Sequence, residues 1–384
     1  MNSDKKTVLI FSEWYHPGYK AGGPITSLVN AVNLIGNDLS AKVVCGDRDY
    51  LESDPYQGVV VNKWVNMGKA DVFYLSPVDL QLSKIKELIA EVNPDVIYLN
   101  GMFSKVFTIF PLIAAKGLGI KIVLAPRGML APAALQIKRF KKSFFLKMTK
   151  LFGIYSNVYF HATNNLEALQ IKQHFQNPSI EIIENVPTLP KQNQNSRTTE
   201  KERNILKLYM VARIAPEKNI HFALKCLKEI SHDITVNLKV IGSIYDKPYY
   251  ERCQEIVSQC ERNIFVDFLG AKTKDEILFI GHQSDFFYLP TAGENYGHAI
   301  VESLINNIPV IISDQTPWQE LEVANLGFDL PLTEEVFVEK LNYCGEMSGI
   351  EYKQLYENIG NTVRSFINID NLHKGYLKLF NDRD

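Results

Sequence analysis

The chain has 384 residues, a formal net charge of −2, 46% hydrophobic and 22% charged residues. This length predicts two domains, and the composition excludes a disordered chain. No stretch reaches the roughly 18 apolar residues of a membrane span, and the first apolar run is too short for a signal peptide. The five cysteines have neither CxxC nor Cys/His metal spacing, which indicates reduced cytosolic thiols.

Charge is unevenly distributed along the chain. Residues 1–190 contain 20 Lys or Arg and 15 Asp or Glu (+5), whereas residues 191–384 contain 21 and 28 (−7). No acidic residue occurs between Val96 and Leu166, where ten Lys or Arg occur. The asymmetry predicts that one domain faces a polyanion or an anionic membrane.

Short apolar runs alternate with amphipathic segments and predict eleven strands joined by helices. The strands are predicted at residues 7–11, 41–45, 71–75, 95–100, 121–125, 157–162, 206–212, 236–242, 264–270, 285–290 and 309–313. Helices are predicted at residues 24–36, 81–92, 218–230 and 297–307. This repeated βα series predicts an α/β fold of two doubly wound, Rossmann-like domains with a cleft between them.

The segment 191–204 separates the two series. It is polar, contains no apolar residue and follows two prolines, which is typical of an interdomain linker. We therefore predict one domain at residues 1–190 and a second at 205–365.

A pair of glycines, Gly22 and Gly23, follows the first predicted strand and precedes Pro24, which suits the first turn of a helix. Glycines there allow backbone N–H groups to approach a phosphate or a sugar ring closely; a plain tight turn is the alternative. The chain has no GxGxxG or GxxxxGK[ST] motif, so a dehydrogenase or a P-loop protein would lack its signature.

Two cations follow the first strand of the second series, where Arg213 and Lys218 flank a proline-containing turn. A guanidinium fork and an ammonium suit a diphosphate. A solvated basic pair is the alternative, but the helix dipole opposes cations at a helix start, which favours a functional interpretation.

The stretch GENYGHAIVESL follows the predicted strand 285–290. We predict a helix that begins near Gly297, with first-turn amides at Gly297, His298 and Ala299 available to a phosphate. Glu294 would then lie in the loop, where a carboxylate accepts sugar hydroxyls, and Glu302 in the second turn, where it could accept two vicinal hydroxyls, as acidic residues do with ribose. An ordinary exposed helix residue is the alternative for Glu302.

Glu294 and Glu302 form an E-x7-E pattern. With this pattern, the cations Arg213 and Lys218 and the GGP loop, the chain resembles the retaining glycosyltransferases of group 1 (family 4), which have the GT-B fold. The resemblance covers essentially the whole chain, from SEWYHPGYKAGGP through APRGML and ENYGHAIVESL to PVIISDQTPW. It is nearest the branch that builds bacterial surface polysaccharides, such as lipopolysaccharide and capsule, and lipid-linked glycans.

The resemblance implies a role for each motif. Arg213 and Lys218 would stabilise the leaving nucleoside diphosphate and, with Glu294 near the transferred sugar, form the catalytic set. The backbone around Phe268 would hold the base, and Glu302 the ribose. The implied nucleotide-sugar-binding residues are Gly22, Gly23, Arg213, Lys218, Phe268, Leu269, Gly270, Glu294, Asn295, Tyr296, Gly297, His298, Ala299 and Glu302. No metal or other cofactor is implied. The first domain would bind the acceptor, and a helix within 366–384 would return to it.

Some positions depart from the family pattern. Arg127 occupies the place of the family's usual His, so it is a candidate contact to a phosphate or an acceptor anion. Asn295 replaces a common glycine of the E-G-x-G loop, which could alter the sugar pocket. We expect His161, one strand further on, to be structural, because a lone histidine is weak evidence of function.

The segment 135–152 has the pattern of an interfacial helix. An apolar stripe of Ile137, Phe140, Phe144, Met148 and Leu151 is surrounded by basic residues. The predicted membrane-contacting residues are Lys138, Arg139, Phe140, Lys141, Lys142, Phe144, Phe145, Lys147 and Lys150. The alternative is that the stripe packs on its own sheet; nucleic acid, the competing polyanion, lacks an accompanying motif.

Together with these observations, the resemblance to group 1 glycosyltransferases implies a retaining hexosyltransferase. It would move a sugar from a UDP- or GDP-sugar to a lipid-linked saccharide acceptor, and we expect it in the cytoplasm, on the inner face of the cell membrane. A nucleotide-sugar epimerase of the same fold and a non-catalytic sugar- or nucleotide-binding module are the alternatives. The base, the sugar, the acceptor, the linkage and the oligomeric state do not follow from the sequence.

Overall fold

A computed structural model describes residues 5–136, 139–188, 200–357 and 359–381. The chain forms two compact units, which are Met1–Val186 with Ile369–Asp384 (unit 1) and Pro187–Asn368 (unit 2). Each unit is a largely parallel sheet with connecting helices, which confirms the predicted α/β fold with two Rossmann-like domains.

Unit 1 contains an eight-stranded sheet in the order β3-β4-β2-β1-β5-β6-β7-β8. All neighbouring strands are parallel except the pair β3 and β4. The strands are β1 (Thr7–Ser12), β2 (Ser40–Gly46), β3 (Trp64–Met67), β4 (Ala70–Leu75), β5 (Val96–Asn100), β6 (Lys121–Ala125), β7 (Val158–Ala162) and β8 (Ile180–Ile182). The helices are α1 (Gly23–Ile35), α2 (Leu82–Val92), α3 (Phe110–Ala114), α4 (Pro132–Gln136), α5 (Arg139–Leu151), α6 (Asn165–His174) and α14 (Ile369–Asn381), with a 3₁₀ turn at Pro77–Asp79 and a π-helix at Lys105–Ile109.

The two faces of this sheet carry separate apolar clusters because side chains alternate along a strand. Val8 and Ile10 of β1 lie in one cluster, and Leu9 and Phe11 lie in the other. Helix α14 completes the first cluster with three buried side chains, Tyr376, Leu379 and Phe380.

Unit 2 contains a six-stranded parallel sheet in the order β11-β10-β9-β12-β13-β14. The strands are β9 (Ile205–Val211), β10 (Thr235–Ile241), β11 (Ile264–Gly270), β12 (Phe286–Leu289), β13 (Val310–Ser313) and β14 (Gly327–Leu330). The helices are α7 (Ile220–Lys228), α8 (Lys247–Ser258), α9 (Lys274–His282), α10 (His298–Ile305), α11 (Glu334–Glu346), α12 (Gly349–Tyr356) and α13 (Ile359–Phe366), with a 3₁₀ turn at Pro216–Lys218.

All eleven predicted strands are confirmed, each to within one residue at either end. Strands β3, β8 and β14 were not predicted. They are three or four residues long and lie at the edges of the sheets. An edge strand this short lacks the continuous apolar run by which a central parallel strand is identified.

The boundaries of the units differ from the predicted domain limits. Unit 1 ends at Val186 rather than at residue 190, and the chain returns to it at Ile369 rather than at residue 366. Residues 191–199 of the predicted linker lie outside the described residues. The remaining part packs in unit 2, because the buried Lys201 ammonium donates hydrogen bonds to the carbonyl oxygens of Glu202, Ile205 and Gly345.

Candidate active site

The strand order of unit 2 reverses between β9 and β12, which lie side by side at the centre of the sheet. In an open α/β sheet, ligands bind at the carboxyl ends of the strands on either side of such a point. The loops that follow these two strands contain Arg213 and Lys218 on one side and Glu294 on the other. The topology therefore brings the three predicted catalytic residues to one edge of unit 2.

Lys218 and Glu294 form an ion pair, in which Lys218 Nζ lies 2.5 Å from Glu294 Oε1. The side chains are 17% and 14% exposed, so the pair is largely shielded from solvent. Asn219 helps to position it, because its backbone has a φ of 56° and its Nδ2 donates to the carbonyl oxygen of Pro290, 2.9 Å away. The turn before α7 is thereby attached to the end of β12.

Arg213 is more exposed than this pair, with 39% of its side chain accessible. Its guanidinium stacks over the Tyr245 ring, 4.9 Å from the centroid, and its Nη2 is 3.4 Å from Glu217 Oε1. The backbone carbonyl of Glu217 accepts hydrogen bonds from the Ala292 amide and the Thr291 hydroxyl, both at 3.2 Å. Glu217 thus links Arg213 to the loop that contains Glu294.

The loop after β12 leads into α10, whose N-cap is Gly297 with a φ of 78°. A side chain at this φ would be strained, and a Cβ would lie 2.8 Å from Ile300 Cδ1. The amides of Ile300 and Val301 donate to the Gly297 carbonyl oxygen, so the intrahelical pattern begins there. The amides of Gly297, His298 and Ala299 precede it, and anion binding by them stays a prediction.

The loop is held from the side of β13. The Glu294 amide donates to the Gln315 carbonyl oxygen at 3.1 Å, and Trp318 Nε1 donates to the Tyr296 carbonyl oxygen at 2.7 Å. The His298 ring packs on Tyr296, with 4.8 Å between the ring centroids. Through Gln315 and Trp318, the DQTPW segment (residues 314–318) therefore supports the loop that contains Glu294.

Glu302 lies in the second turn of α10 and is half-buried. Its Oε1 accepts a hydrogen bond from Thr188 Oγ1 at 2.9 Å. Burial raises the pKa of the Glu302 carboxyl, while the Lys274 charge and the Thr188 hydrogen bond act in the opposite direction. Thr188 and Lys274 were not predicted, since no local pattern indicates contacts so distant along the chain.

The predicted base-binding residues lie at the carboxyl end of the edge strand β11. The Phe268 ring packs edge-on against Tyr250, 5.1 Å between centroids. Gly270 is exposed with a φ of 68°, and its carbonyl oxygen accepts the Gly242 amide at 2.9 Å. Gly270 is thus accessible at the carboxyl ends of the strands, where α10 also begins. Base binding there stays a prediction.

Unit 1 has its own point of reversal, between β1 and β5. Gly22, the N-cap of α1, follows β1 with a φ of 68°. The Asp49 carboxylate, which follows β2, accepts the amides of Tyr19 and Lys20 at 2.8 and 3.1 Å. Asp49 therefore positions the loop that contains the predicted glycine pair; the acidic residues after β2 were the only signal of this role in the sequence.

Arg127 is hydrogen-bonded within unit 1, and its contact to a phosphate or an acceptor anion stays a prediction. Its Nε donates to Asn100 Oδ1 and its Nη2 to Tyr98 Oη, both at 2.8 Å, and its Nη1 donates to Asn185 Oδ1. Each guanidinium nitrogen thus has a protein acceptor. The residue has a φ of 56°, unusual for a side chain of this size.

His161 has the structural role that we expected. It is fully buried, with Nδ1 2.8 Å from Tyr98 Oη and Nε2 2.8 Å from the Ile183 carbonyl oxygen. Burial lowers the pKa of its imidazole to about 3, and the Arg127 charge acts in the same direction. The ring is therefore neutral at ordinary pH.

Helix α5 contains the predicted basic and aromatic residues. Phe140, Phe144 and Leu151 are 91%, 65% and 74% exposed, so this part of the stripe does not pack on the sheet. Lys138 and Ile137 lie outside the described residues. No helix in the described ranges is long and apolar enough to cross a membrane.

Two predicted membrane contacts on α5 belong to its inner side. Phe145 packs edge-on against Phe103, 5.4 Å between centroids, as part of the apolar cluster of unit 1. Lys142 Nζ donates to the Ala134 carbonyl oxygen at 2.6 Å and lies 5.2 Å from the centroid of the Phe103 ring. These two side chains contact the rest of unit 1, and they lie on the side of α5 away from Phe140 and Phe144.

Solved structures share the fold of the whole chain. HepE from Anabaena, crystallised with UDP and glucose, is 14% identical with a TM-score of 0.65, and the match covers 97% of this chain and 99% of HepE. Sucrose-phosphate synthase from Thermosynechococcus elongatus is 12% identical with a TM-score of 0.68 and 98% coverage of both chains. WaaG, a glycosyltransferase involved in lipopolysaccharide biosynthesis, is 13% identical with a TM-score of 0.64, covering 98% of this chain and 100% of WaaG.

The sequence comparisons concern the second half of the chain. No curated protein matches the sequence. Residues 191–359 match the family of glycosyl transferases, group 1. That range contains Arg213, Lys218, Glu294 and Glu302, so the part of the chain that carries the candidate active site is similar in sequence to group 1 glycosyl transferases and stands in a chain with the GT-B fold.

Proposed function

We propose that this protein is a retaining glycosyltransferase that moves a sugar from a UDP- or GDP-sugar to a lipid-linked saccharide. The observation that carries the proposal is the shielded pair of Lys218 and Glu294 beside the first turn of α10, at the strand reversal of unit 2. The match of residues 191–359 to group 1 glycosyl transferases supports it, and the structure of HepE with UDP-glucose supports a nucleotide-sugar donor.

The donor diphosphate would lie against Arg213, Lys218 and the amides at the start of α10. A guanidinium, an ammonium and a helix N-terminus all stabilise the negative charge that develops when the bond between the sugar and the phosphate breaks. Lys218 would move its hydrogen bond from Glu294 to a phosphate oxygen. The Glu294 carboxylate would then accept sugar hydroxyls, and Glu302 those of the ribose.

In the transfer step, the acceptor hydroxyl oxygen forms the new bond to the anomeric carbon as the bond to the diphosphate oxygen breaks. Attack from the face that the diphosphate leaves gives retention, and the hydroxyl proton goes to the departing phosphate. Arg213 and Lys218 supply the positive charge, so we propose that transfer requires no divalent metal. Equal rates with and without EDTA would be expected.

We propose that α5 holds the enzyme on an anionic membrane, at the inner face of the cell membrane, where a lipid-linked acceptor is found. Exposed Phe140 and Phe144 would enter the interface, while neighbouring lysines contact anionic headgroups. Incubation with labelled donor and membrane lipids should yield label in the organic extract. Label that stays in water-soluble saccharide would contradict a lipid-linked acceptor.

Nucleotide binding tests the donor site. Thermal unfolding should be measured with UDP, GDP, ADP and CMP, on the wild type and on Glu302→Ala. A nucleotide at 100 times its dissociation constant adds about 2.7 kcal/mol to the folded state, and the gain should shrink in the variant. No gain with any nucleotide would favour another function.

Turnover tests catalysis. Lys218→Ala should lower kcat/KM about 100-fold or more, because it removes a charge that stabilises the transition state. The matched control is Lys340→Ala, which breaks the ion pair with Glu322, 3.0 Å, outside the site. Nucleotide binding without turnover in the wild type would indicate a binding module instead.

A further inference from the structure

The Glu302 carboxylate, which the proposed function places on the ribose, is hydrogen-bonded to a residue from a distant part of the chain. Thr188 Oγ1 donates to Glu302 Oε1 at 2.9 Å, across 114 positions. Thr188 follows Pro187, the first residue of unit 2, so the contact forms within that unit. The start of unit 2 therefore reaches the candidate nucleotide site.

Lys274 completes this arrangement from a third element. Its Nζ lies 3.3 Å from Thr188 Oγ1, to which it donates a hydrogen bond. A hydroxyl has one hydrogen to donate, so Thr188 Oγ1 accepts the hydrogen bond from the Lys274 ammonium and donates its own to Glu302. Each hydrogen bond polarises the next, and the positive charge of Lys274 strengthens the bond to the carboxylate.

Lys274 is held in place by the start of its own helix. It is the first residue of α9, where Thr273 and Glu276 form a capping box, with the Thr273 amide and hydroxyl each 2.8 Å from Glu276 Oε2. Lys272, two residues earlier, instead pairs with Glu276 at 3.2 Å. The two lysines therefore have different partners within one turn.

This geometry suits the recognition of a vicinal diol. An ionised carboxylate has two oxygens and about four acceptor positions, so one hydrogen bond from Thr188 leaves acceptor capacity for two hydroxyls. Burial disfavours the ionised form of Glu302, and the Lys274 charge and the Thr188 hydroxyl favour it. A protonated carboxyl would lose part of its acceptor capacity.

We propose that Thr188 and Lys274 are positioning residues for the donor nucleotide: Lys274 holds Thr188, and Thr188 sets the orientation in which Glu302 receives the two ribose hydroxyls. This inference rests on the proposed function. It assigns a role in nucleotide recognition to the segment that begins unit 2 and to the first residue of α9.

Isothermal titration of the full chain tests the inference. Each of UDP, GDP, ADP and CMP would be compared with its 2′-deoxy counterpart, on the wild type, Thr188→Val and Lys274→Met. The wild type should prefer the ribonucleotide, and both variants should lose about fivefold of that preference, the effect of one hydrogen bond. Affinity for the deoxynucleotide should stay within about twofold, because the remaining contacts are unchanged.

Two controls separate positioning from general destabilisation. Thr188→Ser retains the hydroxyl and should restore the preference for ribose, and Lys272→Met should behave as the wild type. An unchanged ribose preference in Thr188→Val, or tighter ribonucleotide binding, would overturn the inference and leave the proposed function intact. If the wild type bound none of the nucleotides, the proposed function and this inference would fall together.

Discussion

His161 is an ionisable residue of unit 1 that takes up a proton less readily in the folded chain than in the unfolded chain. It is buried between Tyr98 and the Ile183 carbonyl oxygen, and its pKa is lowered from 6.5 to about 3. At pH values between about 3 and 6.5, this imidazole therefore binds a proton in the unfolded chain but not in the folded chain. The contribution of the neutral His161 to the stability of the fold is therefore fully present above pH 6.5 and is lost as the pH falls towards 3.

We expect the free energy of unfolding of unit 1 to fall by up to about 1.4 kcal/mol per pH unit below pH 6.5 on account of this group. Urea unfolding at a series of pH values would measure the slope. His161→Gln should have a shallower slope over the same range, and His232→Gln, which changes an exposed residue, should match the wild type. Equal slopes in all three proteins would show that His161 is not responsible.

A second prediction at the scale of single residues concerns Asp49. Its carboxylate accepts the amides of Tyr19 and Lys20, and hydrogen bonds to a charged group contribute about 1.5–3 kcal/mol each. In Asp49→Asn, hydrogen exchange of the amides in residues 15–23 should accelerate about tenfold or more. Asp54→Asn, an exposed site in the same connection, should leave it unchanged. Acceleration throughout unit 1 would instead indicate global destabilisation.

Helix α5 shows how one element can present two different faces. Phe145 packs within unit 1, whereas Phe140 and Phe144 face solvent. The sequence predicted the exposed stripe and the basic residues around it, because both follow the 3.6-residue period. Phe145 and Lys142 were also among the predicted membrane contacts, because periodicity alone does not tell which aromatic side chains contact the sheet.

The double variant Phe140→Ser with Phe144→Ser should bind vesicles of phosphatidylglycerol and phosphatidylcholine at least about tenfold more weakly, because a large apolar side chain contributes about 1.5–3 kcal/mol on burial. Co-sedimentation would measure the binding. The control is Phe279→Ser on α9, which is 65% exposed, as Phe144 is. An equal loss in the control would contradict a specific role of α5, and so would equal binding to vesicles of phosphatidylcholine alone.

At the scale of the whole molecule, unit 1 is built from two separate parts of the chain. Tyr376, Leu379 and Phe380 of α14 lie in the cluster that β1 and β2 form on one face of the sheet. Tyr98 of β5 contacts Phe380 edge-on, 5.6 Å between centroids. The last helix is therefore part of the core of the first unit.

A chain that ends at Asn368 should have a much less stable unit 1, because three large side chains leave the core, at about 1.5–3 kcal/mol each. Calorimetry should show the loss as a lower melting temperature of one transition. Nucleotide binding should persist, since the candidate donor site lies in unit 2. A point variant, Leu379→Ala, should produce a smaller change of the same sign, about 2–5 kcal/mol; an unchanged unit 1 transition in both would contradict this role of α14.

Eleven strands could be predicted, and the residues of the candidate donor site could be selected, because both depend on local patterns. A central parallel strand is an apolar run, and a ligand-binding loop follows its carboxyl end, so Lys218 and Glu294 could be identified separately from their positions after β9 and β12. Their direct pairing across 76 positions depends on which strands become neighbours. Thr188 and Lys274 likewise reach Glu302 only through the packing of unit 2, and Asn185 and Tyr98 determine the direction of the Arg127 guanidinium. A local pattern encodes the type of an element and the period of its apolar side chains. Tertiary packing decides which face of the element is covered and which partner a polar side chain has, because it places residues far apart in the chain within hydrogen-bonding distance.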